Sequence, residues 1–407
     1  MPGLRGHRDF MRLWAAQAIS TFGARIAREG LPMAAVVTLH AGPAAVGLFA
    51  ALRLAAQAAM GFFAGHLADR APKRTLLIGA DLARAAVLTL VPLAALAGQL
   101  TLTEIYIAGL LTAVFNVMFD VADHAFLPAI LAPADLMDGN ARLGATEAVA
   151  EVGGPALYGA IFSVLAPPVG VAVTAVTYLC SAALLSTVRA RGAVASTADD
   201  DETPAGLAAG FRLVLGNPLV RPLWLADVTR TFFGTFFSAL YIVWAFTWLH
   251  LTPFMFGLTV ACGGIGALVG AAAAPRLTRA MGAGRTILVT GVVGGAMQAL
   301  VPLASGPPLT AMAFLMAAQF FGDMLQSVAE IGSVTLRQTL IRPSELGRAA
   351  GAFASGAGAV GVAGALIGGG LGAALGPRDV LYVSVAGICA GSLFIAFSPL
   401  RRMSAET

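Results

Sequence analysis

The chain has 407 residues, of which 58% are hydrophobic and only 11% charged. Soluble proteins carry about a quarter charged residues, so a soluble globular fold has nowhere to bury this much apolar surface and a bilayer must act as the solvent. The net charge of +4 is nearly all arginine in short gaps between apolar runs, which argues against a nucleic-acid-binding face, and Cys180, Cys262 and Cys389 each sit inside an apolar run with no C-x-x-C or Cys/His cluster, which argues against a metal or redox centre.

In chain order, Arg5, Arg8 and Arg12 precede the first apolar run without a small-residue cleavage site after it, so this start reads as an uncleaved first span. About 20 apolar residues cross a bilayer as a helix. Twelve segments reach that length: 10–38, 44–68, 75–97, 102–131, 142–166, 169–188, 219–248, 254–280, 285–304, 309–341, 345–375 and 379–399. Ala166-Pro167-Pro168 and Gly306-Pro307-Pro308 mark tight turns between them. The longest connection follows the sixth span. Ala193 to Pro204, with Asp199-Asp200-Asp201-Glu202, reads as a solvated linker, and Gly206 to Leu215 as a short amphipathic helix on the membrane surface. The expected organisation is therefore an N-terminal six-helix half (1–189), a cytoplasmic linker (190–218) and a C-terminal six-helix half (219–407). Of the Arg and Lys residues in the gaps, only Arg378 falls on the side opposite all the others, which puts both termini in the cytoplasm.

The two halves repeat at an offset of 210 residues. Leu13-Trp14 matches Leu223-Trp224, Thr21-Phe22 matches Thr231-Phe232, Asn116 matches Gln326 and Asp120 matches Glu330. Leu131-Ala132-Pro133 matches Ile341-Arg342-Pro343, and Gly154 and Gly159 match Gly364 and Gly369. At Arg74-Thr75-Leu76-Leu77, which matches Arg285-Thr286-Ile287-Leu288, the offset slips by one. Such a repeat implies an all-α membrane protein of two pseudo-symmetric six-helix halves.

Between the second and third spans the chain reads Gly65-His66-Leu67-Ala68-Asp69-Arg70-Ala71-Pro72-Lys73-Arg74. This resembles the G-x-L-x-D-R-x-G-R-K signature of the major facilitator superfamily, with Pro72 at the usual glycine and Lys-Arg for Arg-Lys. The resemblance implies a conformational-switch loop built on Gly65, Asp69, Arg70, Lys73 and Arg74. Gly154-Pro155-Ala156-Leu157-Tyr158-Gly159 is similar to the antiporter motif G-P-x-x-G-G, with Tyr158 in place of a glycine. Leu127-Pro128 through Leu136 and Asn140, Gly210-Phe211-Arg212 through Arg221, and Arg337-Gln338 through Arg348 resemble the drug-exporter branch that includes macrolide efflux proteins and the enterobactin exporter. That branch commonly has an acidic residue after the glycine of the first span, where this chain has Ala24 and Arg25.

The resemblance implies a monomeric secondary transporter in the bacterial cytoplasmic membrane. It would need no cofactor and would expel a small amphipathic organic compound, such as a drug or siderophore-like metabolite, by proton antiport. A uniporter, an importer of a small metabolite or a non-transporting sensor are the alternatives; no catalytic constellation points to an enzyme. One decoy is Gly356-Ala357-Gly358-Ala359-Val360-Gly361, which fits G-x-G-x-x-G but lies within an apolar segment, where small residues serve close helix packing.

An ionisable group inside a membrane needs a partner or a wet cavity. The resemblance puts the first, fourth, seventh and tenth spans around the substrate cavity. These spans carry Arg25, Arg28 and Glu29; Asn116, Asp120 and Asp123; Asp227 and Arg230; and Gln319, Asp323, Gln326 and Glu330. Arg25 and Glu29, four apart, share a helix face, where they either neutralise each other or serve the cavity; Asp81 and Arg84, three apart, read as a neutralising pair. Asp120 and Glu330, related by the repeat, are the expected proton carriers, with Glu29 and Asp323 as substitutes. Glu147 and Glu151, one turn apart, are candidates to join a gate with them.

Overall fold

The computed structural model describes residues 4–70, 72–189 and 204–402. The acidic run Asp199–Glu202, the surroundings of Gly65 and the side chains of Asp69 and Arg70 lie outside the described residues.

The described chain is all helical, and its fourteen α-helices are α1 (Arg8–Met33), α2 (Pro43–Arg70), α3 (Lys73–Leu96), α4 (Leu102–Ile130), α5 (Leu136–Val164), α6 (Pro167–Ser186), α7 (Pro204–Gly216), α8 (Val220–Val243), α9 (Pro253–Met281), α10 (Ala283–Met297), α11 (Leu300–Leu303), α12 (Pro308–Leu340), α13 (Leu346–Leu375) and α14 (Pro377–Ala396). Helices α10 and α11 form one apolar segment, Ala283–Leu303. Six helices begin on proline, whose missing N–H costs nothing in a first turn. Helix α4 begins with a capping box, in which the backbone N–H of Thr101 donates to Glu104 Oε2 at 2.6 Å.

Ten segments among the described residues are long and apolar enough to cross a membrane, not the twelve expected from sequence. The two that fall out are α1 and α5. Both have the length, 26 and 29 residues. Their charges remove them: α1 carries Arg8, Asp9, Arg12, Arg25, Arg28 and Glu29, and α5 carries Asp138, Arg142, Glu147 and Glu151.

The chain forms two compact units: unit 1 is Met1–Ala41 with Leu52–Asp199, and unit 2 is Gly42–Ala51 with Asp200–Thr407. The core of unit 1 gathers Phe10, Leu13, Leu77, Phe126, Leu131 and Leu185. That of unit 2 gathers Val214, Leu223, Ile287, Leu336, Ile341 and Phe353. Helix α7 therefore does more than lie on a surface. Val214 is fully buried, and Gly210 lies so close to α13 that a Cβ there would come within 2.3 Å of the Arg348 carbonyl oxygen. Leu90, Leu93 and Leu96 on α3 and Leu366 and Ile367 on α13 remain exposed, as membrane-facing helix surfaces require.

The sequence repeat has a backbone counterpart. Helices α1 and α8 each run into a π-turn, Ala34–Thr38 and Trp244–Trp248. Each turn is followed by a histidine in the left-handed region, His40 at φ 53° and His250 at φ 50°. The short 3₁₀ turns Pro133–Asp135 and Pro343–Glu345 are likewise equivalent. Trp14 Nε1 donates to Thr146 Oγ1 at 2.9 Å, tying α1 to α5, and Trp224 Nε1 donates to the Ala352 carbonyl at 3.3 Å, tying α8 to α13.

Candidate functional site

Among the described residues, unit 1 places ionised side chains in two separate centres within its helices. The first lies on α1 and α5. Glu151 bridges two arginines with its two oxygens: Oε2 pairs with Arg25 Nη1, and Oε1 lies 3.6 Å from Arg28 Nη2. Arg28 Nε also donates to Glu29 Oε1 at 3.0 Å. The expected Arg25–Glu29 pair is thus replaced by Arg25–Glu151 and Arg28–Glu29. Helix spacing brings Arg25 and Glu29 onto one face, but α5 supplies Arg25 with a partner from another helix. Gly154 makes this possible, because a Cβ there would lie 2.8 Å from that of Arg25. Pro155 and Gly159 are buried on the same helix, and so is Tyr158, at the position where the antiporter motif has glycine. Arg53 of α2 completes the surroundings, with Arg28 and Glu29 the charges acting on it.

The second centre of unit 1 is sealed. Arg84 and Asp81 of α3 form an ion pair with side chains 2% and 0% exposed. Arg84 Nη1 donates to Asn116 Oδ1 at 2.8 Å, and Nη2 donates to Ser20 Oγ at 3.3 Å. Its guanidinium carbon lies 4.3 Å from the Phe119 ring centre and 4.2 Å from that of Tyr178. Helices α1, α3, α4 and α6 thus close around one cation, held by a carboxylate, an amide, a hydroxyl and two aromatic faces. Asp120, one turn beyond Asn116, is exposed.

Unit 2 places its arginine elsewhere. Arg230 of α8 stands at the repeat position of Ser20, and Gln326 of α12 at that of Asn116. With the Gln326 amide turned so that its oxygen faces the guanidinium, that oxygen accepts from both Nη1 and Nε of Arg230 at 3.0 Å. Asp227 Oδ1 lies 3.8 Å from Arg230 Nη2, and the two side chains are 27% and 22% exposed. A cavity of about 20 Å³ opens beside them, lined by Asp227, Arg230, Ala329, Ser333 and Ser392 among others. Space of that size holds a water molecule and little more. Glu330 is exposed, and it acts electrostatically on Asp227 together with Arg337. Asp323 lies elsewhere on α12, against Gly263 of α9, where a Cβ would fall 2.2 Å from Asp323 Oδ2.

Of the expected switch loop, Arg74 is described and anchored. Its Nε donates to the Leu185 carbonyl at 3.0 Å, and its Nη2 to that of Ser186. It thereby caps the end of α6, where cations and donors are favoured. Lys73 is buried. The structure therefore brings together Arg25 and Arg28 with Glu29 and Glu151, and Arg230 with Gln326 and Asp227; Asn116 joins Arg84. Sequence reasoning paired Asp81 with Arg84 but missed that this pair is the best-enclosed charge centre described. The signal was available: two opposite charges three apart in the third span, with Asn116 in the fourth.

No curated protein matches the sequence. Solved structures do match in fold. A bacterial homologue of the iron transporter ferroportin, in an inward-facing state, superposes with a TM-score of 0.73 at 18% identity, covering 96% of this chain and 98% of its own. The nucleoside transporter NupG gives 0.75 at 12% identity, covering 95% of this chain and 99% of its own. A bacterial homologue of the human lysosomal transporter Spinster gives 0.69 at 13% identity, covering 96% of each chain. At these identities the likeness is one of multi-pass transporter fold. The sequence profile described as Major Facilitator Superfamily matches residues 13–365, most of the chain, and the protein belongs to that superfamily.

Proposed function

We propose that the protein is a twelve-span secondary transporter that exports a small amphipathic organic compound by alternating access, driven by proton antiport. The observation that carries this reading is the set of ion-paired charges held within its helices, Arg25, Arg28, Glu29 and Glu151 in unit 1 and Asp227 and Arg230 in unit 2. Charges kept at membrane depth are costly unless function requires them. Helices α1 and α5 count as spans here because their charges have partners on neighbouring helices, which lowers the cost of burying them. The halves are 1–189 and 219–407, joined by a cytoplasmic linker at 190–218, with both termini in the cytoplasm of a bacterial inner membrane. The loop from Gly65 to Arg74 acts as the switch, and the site residues are Arg25, Arg28, Glu29, Asn116, Asp120, Arg230, Asp323, Gln326 and Glu330.

Everted membrane vesicles test the coupling. A panel of fluorescent amphipathic dyes is loaded with and without an imposed pH gradient. Gradient-dependent dye accumulation that vanishes in Arg25→Ala supports the reading; accumulation indifferent to the gradient in every dye refutes proton antiport. Orientation is checked in intact cells with an impermeant thiol reagent. A cysteine at Ser305 is expected to react and one at Ser196 is not.

A further inference from the structure

The two halves hold an arginine against an equivalent amide, Asn116 or Gln326, but deliver it from different helices. In unit 1 it comes from α3 as Arg84. The matching stretch of α10 reads Gly291-Val292-Val293-Gly294-Gly295, so neither the Asp81 nor the Arg84 position carries a charge there under either offset of the repeat. In unit 2 the arginine comes from α8, with Asp227 three residues before it. Phe119, which covers Arg84, is replaced by Ala329 at the same repeat position. Gly291 and Ala329 line the cavity beside Asp227, whereas Gly294 and Gly295 are closed by the approach of α12 and α14, with Leu325 and Cys389 against them.

We infer that Asp227 is a proton-exchanging carboxylate, reached by water through the cavity lined by Ser333 and Ser392, whereas Asp81 is closed to solvent. This rests on the proton-coupled reading above for its use in transport, but not for its occurrence. Three geometric facts separate the two groups. Asp81 is in direct contact with Arg84 and has no exposed surface, so water has no route to it. Asp227 is about a quarter exposed, and its arginine stands 3.8 Å away, beyond hydrogen-bond length. Arg230 has a second holder in Gln326, so it stays satisfied when Asp227 becomes neutral. The charges acting on Asp227 are Arg230 on its own helix and Arg337 and Glu330 on α12. Helices α10 and α14 contribute Ile287, Gly291, Ser392 and Ile395 to the cavity and no charge. Protonation would release Arg230 from its carboxylate and leave it on Gln326, so a transported proton would change the charge presented beside Glu330.

The test needs no substrate. Infrared difference spectra of the protein in lipid nanodiscs, recorded across a pH titration, report carboxyl groups that gain a proton. A titrating carboxyl band should be present in the parent, lost in Asp227→Asn and shifted in frequency but still titrating in Asp227→Glu. Asp81→Glu should leave the parental band in place. Loss of the band in Glu330→Gln with its retention in Asp227→Asn would overturn the assignment, as would an Asp227→Glu spectrum identical to the parent. Water access is read separately in a protein lacking Cys180, Cys262 and Cys389. A cysteine replacing Ser333 should react with a small water-soluble thiol reagent, and one replacing Ser181, a fully buried α6 residue beside Asp81, should not; equal reactivity refutes the difference in access. If Asp227 titrates while no dye follows the pH gradient in vesicles, the antiport reading fails and the protonation site stands.

Discussion

The arginine centres of the two halves solve one problem in opposite ways. Both must keep a guanidinium inside a helical bundle, where an unpaired charge is costly. Unit 1 surrounds Arg84 with Asp81, Asn116, Ser20, Phe119 and Tyr178 and excludes solvent. Unit 2 leaves Arg230 and Asp227 partly exposed beside a water-sized cavity. The comparison teaches that sequence-equivalent places in an internal repeat need not do the same work. One centre is built as a fixed strut, and the other retains the slack a moving proton requires.

The largest effect should come from breaking the strut. Arg84→Ala strands Asp81 in a dry interior, and removing one partner of a buried pair costs about 3–5 kcal/mol. Arg230→Ala leaves Asp227 partly exposed beside the cavity, so the loss should be smaller. Thermal unfolding of the two purified variants should therefore show a large loss for the first and a smaller one for the second. Equal losses would erase the distinction between the centres.

A second difference lies in helix packing. Gly266 and Gly270 of α9 press against α12, where a Cβ would fall 2.2 and 2.0 Å from the carbonyl oxygens of Phe320 and Met324. The repeat places Ala56 and Met60 of α2 at those positions in unit 1. Gly270→Val forces backbone against backbone, and overpacking of this kind costs about 1–3 kcal/mol. Met60→Val, at the half-buried counterpart, should be nearly neutral in the same unfolding assay.

The smallest effect sharpens the likeness of the halves rather than their difference. His40 and His250 both hold a positive φ after a π-turn, and both are exposed. The left-handed conformation costs a non-glycine residue about 1–2 kcal/mol, less for histidine than for bulkier side chains. Glycine at either place should raise the unfolding temperature slightly and by similar amounts. A gain at one site and a loss at the other would show that one histidine holds a contact its equivalent lacks.

Much of this architecture is legible in the amino-acid sequence. Long apolar runs broken by proline and arginine indicate membrane helices, because backbone polar groups at bilayer depth must be satisfied within the segment. The 210-residue repeat indicates two related halves, down to the turns at Pro133 and Pro343. The charges inside spans are visible as a list, and local spacing correctly pairs Asp81 with Arg84. Spacing fails for Arg25, whose carboxylate comes from Glu151, 126 positions away. It also fails to reveal that α7 docks into unit 2 rather than lying on a surface.

What the sequence by itself determined, then, is the set of helices, their repetition and the inventory of charges. These follow from hydropathy and period, which are properties of neighbouring residues along one strand of chain. Tertiary structure alone decided which charge meets which, which arginine is sealed and which lies beside a cavity. Those outcomes depend on the side chains that separate helices bring to the same place. Phe119 or Ala329, Arg84 or the Gly294-Gly295 pair, each looks ordinary within its own helix. Their volumes matter only once α1, α3, α4 and α6, or α8, α10, α12 and α14, have closed around the same guanidinium.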